Sequence, residues 1–174
     1  RPYDNPSTIT KKIMMATMLG TFQSTLTDFH FVDEEWTKNG QEERLLGVSL
    51  TGIMNNPLTS GKLGHKNLAA FLEKMKAIAI ANNKQVAHEL GINASVAITT
   101  VKPSGTVSQL VDCSSGIHPA HAKFYIRTVR ADNKDPLCTF MKEMGVPNEP
   151  CVSKPNDMTV FSFPIEVSKE AIFR

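Results

Sequence analysis

The sequence predicts an α/β fold in which helices and strands alternate along the chain. Two long segments repeat apolar residues at helical spacing, and three shorter segments are β-branched or alternate between apolar and polar residues. A chain of 174 residues, 41% of them hydrophobic, is long enough to bury one ordinary core, so a single domain is predicted. Strands that alternate with helices are typical of an α/β sheet or barrel.

Three helices are predicted from apolar spacing and end signals. The first runs from Thr8 to about Asp28, and its methionine-rich stripe is predicted to face the core: Ile13, Met14, Met18, Leu19, Phe22 and Leu26. The second runs from Asn67 to Leu90 and stops at Gly91, a residue that favours the left-handed position after a helix. The third covers residues 136–145, with proline at its first position and Asp135 as N-cap.

Three strands are predicted, at residues 94–101, 124–130 and 158–167. The first is rich in β-branched residues, and the second alternates apolar and polar side chains. Pro164 in the third favours an edge strand or a bulge, because proline has no N–H for the ladder. The apolar run from Leu45 to Met54 contains small residues and fits either a strand or a tightly packed helix.

Charge and cysteine content exclude several classes of protein. The formal net charge of +2 is too small to indicate a nucleic-acid or anionic membrane partner. The longest uncharged run, from Ile13 to Thr27, is too short to span a bilayer, so no membrane partner is predicted. The three cysteines are widely spaced and form no CxxC pair, which favours reduced thiols in a cytoplasmic protein over disulfides or a zinc site.

The stretch TTVKPSGTVSQLVDCSSGIHP, from Thr99 to Pro119, holds a small-residue loop between a predicted strand and a serine-rich turn. In PSGTVS the side chains offer hydroxyl groups, the glycine allows close approach of the backbone, and a following helix would supply unpaired N–H groups. Phosphate is the ligand that this chemistry favours. The loop lacks the Gly-Lys-Ser/Thr ending of nucleotide-hydrolysing P-loops. A turn without any ligand is the alternative.

Longer strings around this loop are more specific. ERLLGVSLTGIM, from Glu43 to Met54, is followed by VAITTVKPSGTVSQLVDCSSGIHPAHAKFYIRTVR, from Val96 to Arg130. In this order the strings closely resemble the catalytic chain of ribonucleotide reductases, especially the adenosylcobalamin-dependent class II enzymes. The resemblance covers the chain well from about Ala16 to Arg130 and only loosely beyond.

The resemblance implies a role for the loop. In that family a Pro-Ser/Thr-Gly-Thr-x-Ser loop holds the phosphates of the substrate nucleotide through backbone amides and hydroxyl groups. The motif falls without departure on the predicted substrate phosphate-binding residues of this chain, which are Pro103, Ser104, Gly105, Thr106, Val107 and Ser108.

The resemblance also implies a fold and a reaction. The fold is a ten-stranded α/β barrel of two five-stranded halves, and residues 1–174 are predicted to be a fragment of that catalytic barrel domain, from its later half. The complete enzyme would reduce ribonucleotides to deoxyribonucleotides by radical chemistry with adenosylcobalamin. The family's finger-loop motif, Asn-Pro-Cys-Gly-Glu, is absent from the sequence and would precede Arg1. The chain alone is therefore expected to be inactive and not to bind the cofactor, and no catalytic residue is assigned.

Other chemically reactive side chains receive structural interpretations. His118 and His121 form an HxxH pair with no third ligand nearby, which favours loop histidines bonded to backbone over a metal site. Arg127 and Arg130 lie on a predicted strand and are assigned to its solvated face. The cysteines are predicted to be small buried side chains: Cys113, Cys138 and Cys151.

Two alternatives stand beside the class II prediction. One is the large chain of an oxygen-dependent class I reductase, and the other is a stand-alone nucleotide-phosphate-binding or interaction module without catalysis. The predicted partners are a ribonucleoside di- or triphosphate and the remainder of the reductase chain. Part of a barrel would also expose strand edges and apolar surface, which predicts self-association.

Overall fold

The computed structural model describes residues 1–173, and the contacts within it divide the chain into two compact units. The first unit comprises Arg1–Ala120 with Glu170–Ile172, and the second comprises His121–Lys169 with Phe173. The described part of the chain has mixed α/β structure, as predicted. Within residues 1–173, none of the helices combines the length and apolar character that crossing a membrane would need.

The helices of the first unit are α1 at Pro6–Gln23, α2 at Glu34–Glu43, α3 at His65–Leu90 and α4 at Val107–Leu110. A 3-10 turn at Ile53–Asn55 lies between α2 and α3. Asn5 caps α1 by accepting the Thr8 N–H at 2.9 Å, and α1 ends before the predicted Asp28. The sequence did not predict α2, because none of its residues is buried and it has no apolar stripe.

Helix α1 is buried only along a narrow ridge. The prediction that the methionine-rich stripe of α1 faces the core is therefore mostly wrong. The buried positions of α1 recur every fourth residue, which aligns a single ridge with α3: they are Ile9, Ile13, Thr17 and Thr21. Most of the predicted stripe lies on another face and is exposed: Met14, Leu19, Phe22 and Leu26. The small core of this unit is completed from α3 and the following segment by Met75, Ala79 and Ile98.

A buried amide in α3 joins three parts of the first unit. Asn83 is fully buried, and its Nδ2 donates to Thr21 Oγ1 and to Ser95 Oγ, each at 2.9 Å. Its Oδ1 accepts the Ser95 N–H at 2.9 Å. Because every one of these partners is polar and partly or fully buried, Asn83 specifies how α1, α3 and the segment after α3 meet.

Asn83→Ala is expected to destabilise the chain by about 2 kcal/mol, because it leaves the half-buried Ser95 N–H without its acceptor. The measurement is urea unfolding of residues 1–174. The exposed neighbour Lys84 supplies the control, and Lys84→Ala should change the free energy of unfolding by less than about 0.5 kcal/mol. Equal effects of the two substitutions would contradict a structural role for the amide.

Two extended segments, residues 46–50 and 97–101, run side by side in the first unit. Val48 N–H donates to Ile98 O at 2.9 Å, and Thr100 N–H donates to Val48 O at 3.0 Å. This pairing is one parallel bridge between Val48 and Thr99. The strand predicted at residues 94–101 is therefore wrong in extent, since within residues 1–173 the ladder is too short for a regular strand. The apolar run from Leu45 is extended rather than helical until the 3-10 turn.

The second unit is a three-stranded antiparallel sheet with one helix. The helix and the two long strands were predicted, whereas the short third strand was not. The strands are β1 at Phe124–Asp132, β2 at Asn148–Pro150 and β3 at Met158–Glu166, in the order β1-β3-β2. Helix α5 covers Pro136–Glu143, and its predicted N-cap is confirmed because Asp135 Oδ1 accepts the Leu137 N–H at 2.8 Å. The fully or nearly fully buried residues of this unit are Cys138, Cys151, Thr159 and Phe161.

Pro164 was predicted to mark an edge strand or a bulge, and this is wrong for β3 as a whole, because β3 is the central strand. The physical reason behind the prediction still holds locally. Strand β2 pairs only with Thr159, Val160 and Phe161, so at Pro164 β3 has a neighbour on the β1 side alone. The missing N–H of proline is tolerated at such a position.

Candidate phosphate-binding site

Three stretches of the first unit meet at the predicted phosphate loop. They are residues 51–55 with the 3-10 turn, residues 103–108 with the start of α4, and residues 113–116. Apart from Asn55, these stretches lie in the strings that carry the family resemblance. The hydrogen bonds among them determine how the loop is held.

The side-chain hydroxyl groups of Thr51, Ser104 and Ser115 form a hydroxyl cluster at the start of the loop. Thr51 Oγ1 donates to Ser104 Oγ at 2.9 Å, and the Oγ atoms of Ser104 and Ser115 lie 3.0 Å apart. The Gly116 N–H is shared between Thr51 Oγ1 and Ser104 Oγ, at 3.0 Å from each. The hydroxyl cluster thus ties the loop to both of the other stretches.

Backbone bonds and a buried amide fix the serine-rich turn. Gly52 N–H donates to Ser114 O at 3.0 Å, and Ile53 N–H donates to Gly116 O at 3.2 Å. Asn55 is buried, and its Oδ1 accepts both the N–H of Ser114, at 2.9 Å, and the Ser114 hydroxyl. The turn therefore has little freedom to move relative to residues 51–55.

Cys113 packs directly against Gly52. A Cβ placed on Gly52 would lie 2.6 Å from Cys113 Cβ and 2.7 Å from its Sγ, distances too short for any real side chain. Gly52 also has a φ of 66°, in the left-handed region that glycine adopts without strain. Both facts explain why glycine stands at this position.

The structure brings the predicted phosphate-binding residues together but gives them different environments. Ser104 is half-buried, and its hydroxyl belongs to the hydroxyl cluster. Ser108 is fully buried, and its Oγ donates to Gly105 O at 3.2 Å. The remaining members are exposed: Pro103, Gly105, Thr106 and Val107.

The exposed part of the loop is a turn with unused donors. Val107 N–H donates to Ser104 O at 3.2 Å, and the N–H groups of the two central residues, Gly105 and Thr106, donate to no acceptor within residues 1–173. Gly105 has a φ of 53°, and a Cβ there would meet no atom within 4 Å. The predicted helix after the loop is α4, a helix of only 4 residues, so its dipole adds little. The turn itself offers the donors.

A cleft of about 480 Å³ opens beside the hydroxyl cluster and is lined in part by Thr51, Gly52 and Cys113. Asp4 and Lys12 lie in its wall, with Lys12 Nζ 2.5 Å from Asp4 Oδ2. Burial raises the pKa of Asp4, but hydrogen bonds from Lys12 and from the amino group of Arg1 outweigh it and lower the pKa overall. The carboxylate is therefore ionised and already paired with Lys12.

The predicted burial of the cysteines is confirmed, since all are free and buried: Cys113, Cys138 and Cys151. Burial is the main cause of a raised pKa of the Cys113 thiol. A thiol with a raised pKa stays protonated at neutral pH and is a poor nucleophile. Cys113 therefore acts in packing against Gly52.

Cys151, in the second unit, has a lowered thiol pKa, in contrast to Cys113. Hydrogen bonds from the Ser153 hydroxyl and from the N–H groups of Ser153 and Lys154 lower the pKa of Cys151 to about 7. A lowered pKa means that the folded state favours the thiolate, so the stability it contributes is present above the ordinary pKa of 9.0 and is lost as the pH falls through about 7. The destabilisation caused by Cys151→Ala in urea unfolding is therefore expected to be larger at pH 9 than at pH 7. Ser153→Ala should weaken that dependence, and a pH-independent effect would contradict the assignment.

The histidines and arginines that follow the loop contact backbone, other side chains or solvent. The backbone-bonded interpretation is confirmed for His118, whose Nδ1 lies 3.1 Å from Ser115 O. His121 belongs to the second unit, where its ring packs edge-on against Tyr125. Within residues 1–173, no group of three or more His, Cys, Asp or Glu side chains is arranged to hold a metal ion. On β1, Arg130 is exposed as predicted and Arg127 is half-buried.

Sequence reasoning missed the residues that hold the loop. Thr51, Asn55 and Ser115 make most of the side-chain bonds around it, yet none was predicted as part of a site. The signal that was available is the polar pair formed by Thr51, directly before Gly52, and Asn55, at the end of an otherwise apolar run. Buried polar residues in such a run need partners, and these partners lie far away in the sequence.

Comparisons with known proteins support the family resemblance of the sequence strings around the loop. No protein-family model matches the chain. The chain is 30% identical to the adenosylcobalamin-dependent ribonucleoside-triphosphate reductase of Lactobacillus acidophilus, over 87% of this chain and 23% of that protein. It is 31% identical to the enzyme of the same name from Lactobacillus helveticus, over 76% of this chain and 21% of that protein. It is 27% identical to the enzyme of that name from Euglena gracilis, over 89% of this chain and 21% of that protein.

Among solved structures, the chain resembles a B12-dependent class II ribonucleotide reductase with a TM-score of 0.70 and 23% identity, over 91% of this chain and 25% of that one. Over most of its length, the chain is homologous to a segment of enzymes of the ribonucleotide reductase family. Within the family, these relatives are of the adenosylcobalamin-dependent class II. The chain spans about a fifth to a quarter of the length of the relatives it matches.

Proposed function

We propose that the chain is a segment of an adenosylcobalamin-dependent ribonucleotide reductase, and that residues 103–108 bind the phosphates of its substrate. The name of the relatives supports a ribonucleoside triphosphate as that substrate. The single observation that carries the assignment is the exposed turn at Gly105 and Thr106, whose N–H groups donate to no acceptor within residues 1–173. A concave set of backbone N–H groups is a common protein site for phosphate.

The chemistry of the turn suits an anionic oxygen. The N–H groups of Gly105 and Thr106 and the exposed hydroxyl of Thr106 can each donate a charge-assisted hydrogen bond to phosphate. The hydroxyl groups of Ser104 and Ser108 already bond within the protein, so they hold the loop in shape. Phosphate recognition by neutral donors needs no lysine inside the loop.

In the complete enzyme, this chain's part in the reaction is to position the substrate. Holding the phosphates fixes one end of the nucleotide, which orients the ribose for reduction at its 2′ carbon by residues outside this chain. Adenosylcobalamin would supply the radical that starts the reduction. No residue of this chain is assigned to the cofactor, because the described residues form no metal-ligand group and the His118 ring already bonds to backbone.

We further propose that residues 1–174 lie within one catalytic domain, as part of the later half of a ten-stranded α/β barrel. The parallel pairing of Val48 with Thr99 supports this, because parallel neighbours joined through a helix are the repeating unit of such barrels. The exposed apolar face of α1 would then pack against the remainder of the chain, and in the isolated segment it would favour self-association. The free cysteines support a cytoplasmic location.

The comparisons also count against the two alternatives, a class I large chain and a stand-alone binding module. The relatives named above are class II enzymes, which supports class II over the large chain of a class I reductase. A chain that aligns along most of its own length with about a fifth of much longer proteins supports a segment of an enzyme over a stand-alone module.

The test compares the segment with the complete enzyme that contains it. Purified residues 1–174 should form no deoxyribonucleotide with adenosylcobalamin and a dithiol, because the radical cysteine of the family motif is absent from this sequence. The complete enzyme should reduce ribonucleoside triphosphates under the same conditions. Turnover by the segment alone would contradict the proposal. A complete enzyme that needs a separate iron or manganese subunit would assign it to class I.

A further inference from the structure

We propose that Thr51 is a positioning residue for substrate phosphate binding, because its hydroxyl fixes Ser104 and through it the turn that presents the Gly105 and Thr106 N–H groups. This inference rests on the proposed function of the loop. Thr51 is separated from Ser104 by 53 positions in the sequence and lies outside the loop motif. It would act on the substrate only through the shape of the loop.

The hydrogen-bonding capacity of Ser104 is fully used. A serine hydroxyl has one proton and two lone pairs. The lone pairs accept the Thr51 hydroxyl at 2.9 Å and the Gly116 N–H at 3.0 Å. The proton must then go to Ser115 Oγ, 3.0 Å away. No donor of the Ser104 side chain is left for a phosphate oxygen, so this side chain holds the loop and the backbone of the turn binds the ligand.

Thr51 is the rigid member of this arrangement. Its Oγ1 lies 2.9 Å from Ser104 Oγ and 3.4 Å from the Ser114 carbonyl oxygen, so Ser104 is the better acceptor of its proton. The same Oγ1 accepts the Gly116 N–H. The backbone that follows is fixed as well, since the next two N–H groups donate to Ser114 O and Gly116 O. The hydroxyl of Thr51 is thus held in place before any ligand arrives, and preorganised donors bind more tightly.

Removing that hydroxyl should loosen the loop without touching the reaction itself. Valine has nearly the shape of threonine, so Thr51→Val deletes one partner of Ser104 and one acceptor of the Gly116 N–H while the packing stays similar. Freed from its anchor, the Ser104 hydroxyl can turn, and the N–H groups of the turn are less well fixed. Phosphate affinity should fall, whereas the ribose, which reacts elsewhere, should react at an unchanged rate.

The experiment measures kcat and KM for a ribonucleoside triphosphate in the complete enzyme. Thr51→Val should raise the apparent KM by about three- to tenfold, the loss of roughly one hydrogen bond, with kcat nearly unchanged. Thr51→Ser keeps the hydroxyl and should stay within about twofold of the parent enzyme. Ser115→Ala removes the acceptor of the Ser104 proton and should raise KM as well, so it decides the matter if Thr51→Val does not fold. Thr128→Val, on the exposed surface of β1, is the matched control.

The outcomes separate this inference from the proposed function. If Gly105→Val raises KM but Thr51→Val and Ser115→Ala leave it unchanged, the loop binds phosphate and the positioning role of Thr51 is wrong. A fall in kcat at constant KM, or no rescue by Thr51→Ser, would also overturn it. If Gly105→Val leaves KM unchanged, the proposed function of the loop fails as well.

Discussion

Gly105→Val is expected to raise the apparent KM for a ribonucleoside triphosphate by about ten- to a hundredfold in the complete enzyme, at a cost of about 1.4 kcal/mol for each factor of ten. Gly105 has a φ of 53°, a conformation that is strained for a β-branched residue. The space beside it is open in the protein, and a valine side chain would fill the volume that the phosphate needs. Relaxation of the strained backbone would also displace the Gly105 and Thr106 N–H groups.

Gly91→Val is the matched control for this prediction. Gly91 has a φ of 66° after α3, and a Cβ there would also meet no atom within 4 Å. The two substitutions therefore carry similar conformational strain, roughly 1–2 kcal/mol each, but Gly91 lies outside the loop. Steady-state kinetics on both variants, with thermal unfolding as a check on folding, separate the two effects. If both raise KM equally, strain alone explains the result and the loop is only a turn.

The elements that the sequence predicted well are those with strong local signals. The stop after α3 was predicted at Gly91, which has the expected positive φ and lies directly after Leu90. The start of α5 was predicted from an aspartate followed by proline, and the predicted cap hydrogen bond is present. The alternation of apolar and polar residues was likewise sufficient to predict strand β1. In each case the determinant lies within a few residues of the element, so tertiary packing did not have to be known.

The errors arose where distant partners decide the structure. Apolar spacing predicted a wide core stripe on α1, but the buried residues of α1 form only the ridge that contains Thr17 and Thr21. The polar anchor of that interface, Asn83, lies on α3 within an otherwise apolar face. No local signal says which polar residue of a helix finds a buried partner, because the partner's position depends on the whole fold.

The structure of the proposed phosphate loop was predicted only in part for the same reason. The motif gave the residues of the loop, but it does not tell which of their hydroxyl groups are free. Ser108 is buried, and the hydroxyl of Ser104 bonds to Thr51 and Ser115, so both side chains make their contacts within the protein. Thr106 is the hydroxyl residue of the loop that remains exposed. A motif thus specifies a turn, and residues far along the chain specify which of its groups are free.

The contact between Gly52 and Cys113 leads to the largest expected loss of stability. Gly52→Ala places a Cβ 2.6 Å from Cys113 Cβ, and neither atom can rotate away because both are fixed by the backbone. The backbone cannot easily shift, since the N–H groups of Gly52 and Ile53 bond to the Ser114–Gly116 turn. Overpacking together with a positive φ should lower the free energy of unfolding by about 2–5 kcal/mol, measured by urea unfolding of residues 1–174.

Three further variants isolate the clash from the backbone strain. Gly91→Ala has the same positive φ with open space around it, so it should cost only the strain, about 1 kcal/mol. Cys113→Ala should by itself be nearly silent, but it keeps the Cβ that clashes and therefore cannot rescue Gly52→Ala. Cys113→Gly removes that Cβ, and in the double variant it should recover much of the loss. Similar costs for Gly52→Ala and Gly91→Ala would mean that the turn moves to accommodate the methyl group, and the rigidity ascribed to this side of the phosphate loop would be wrong.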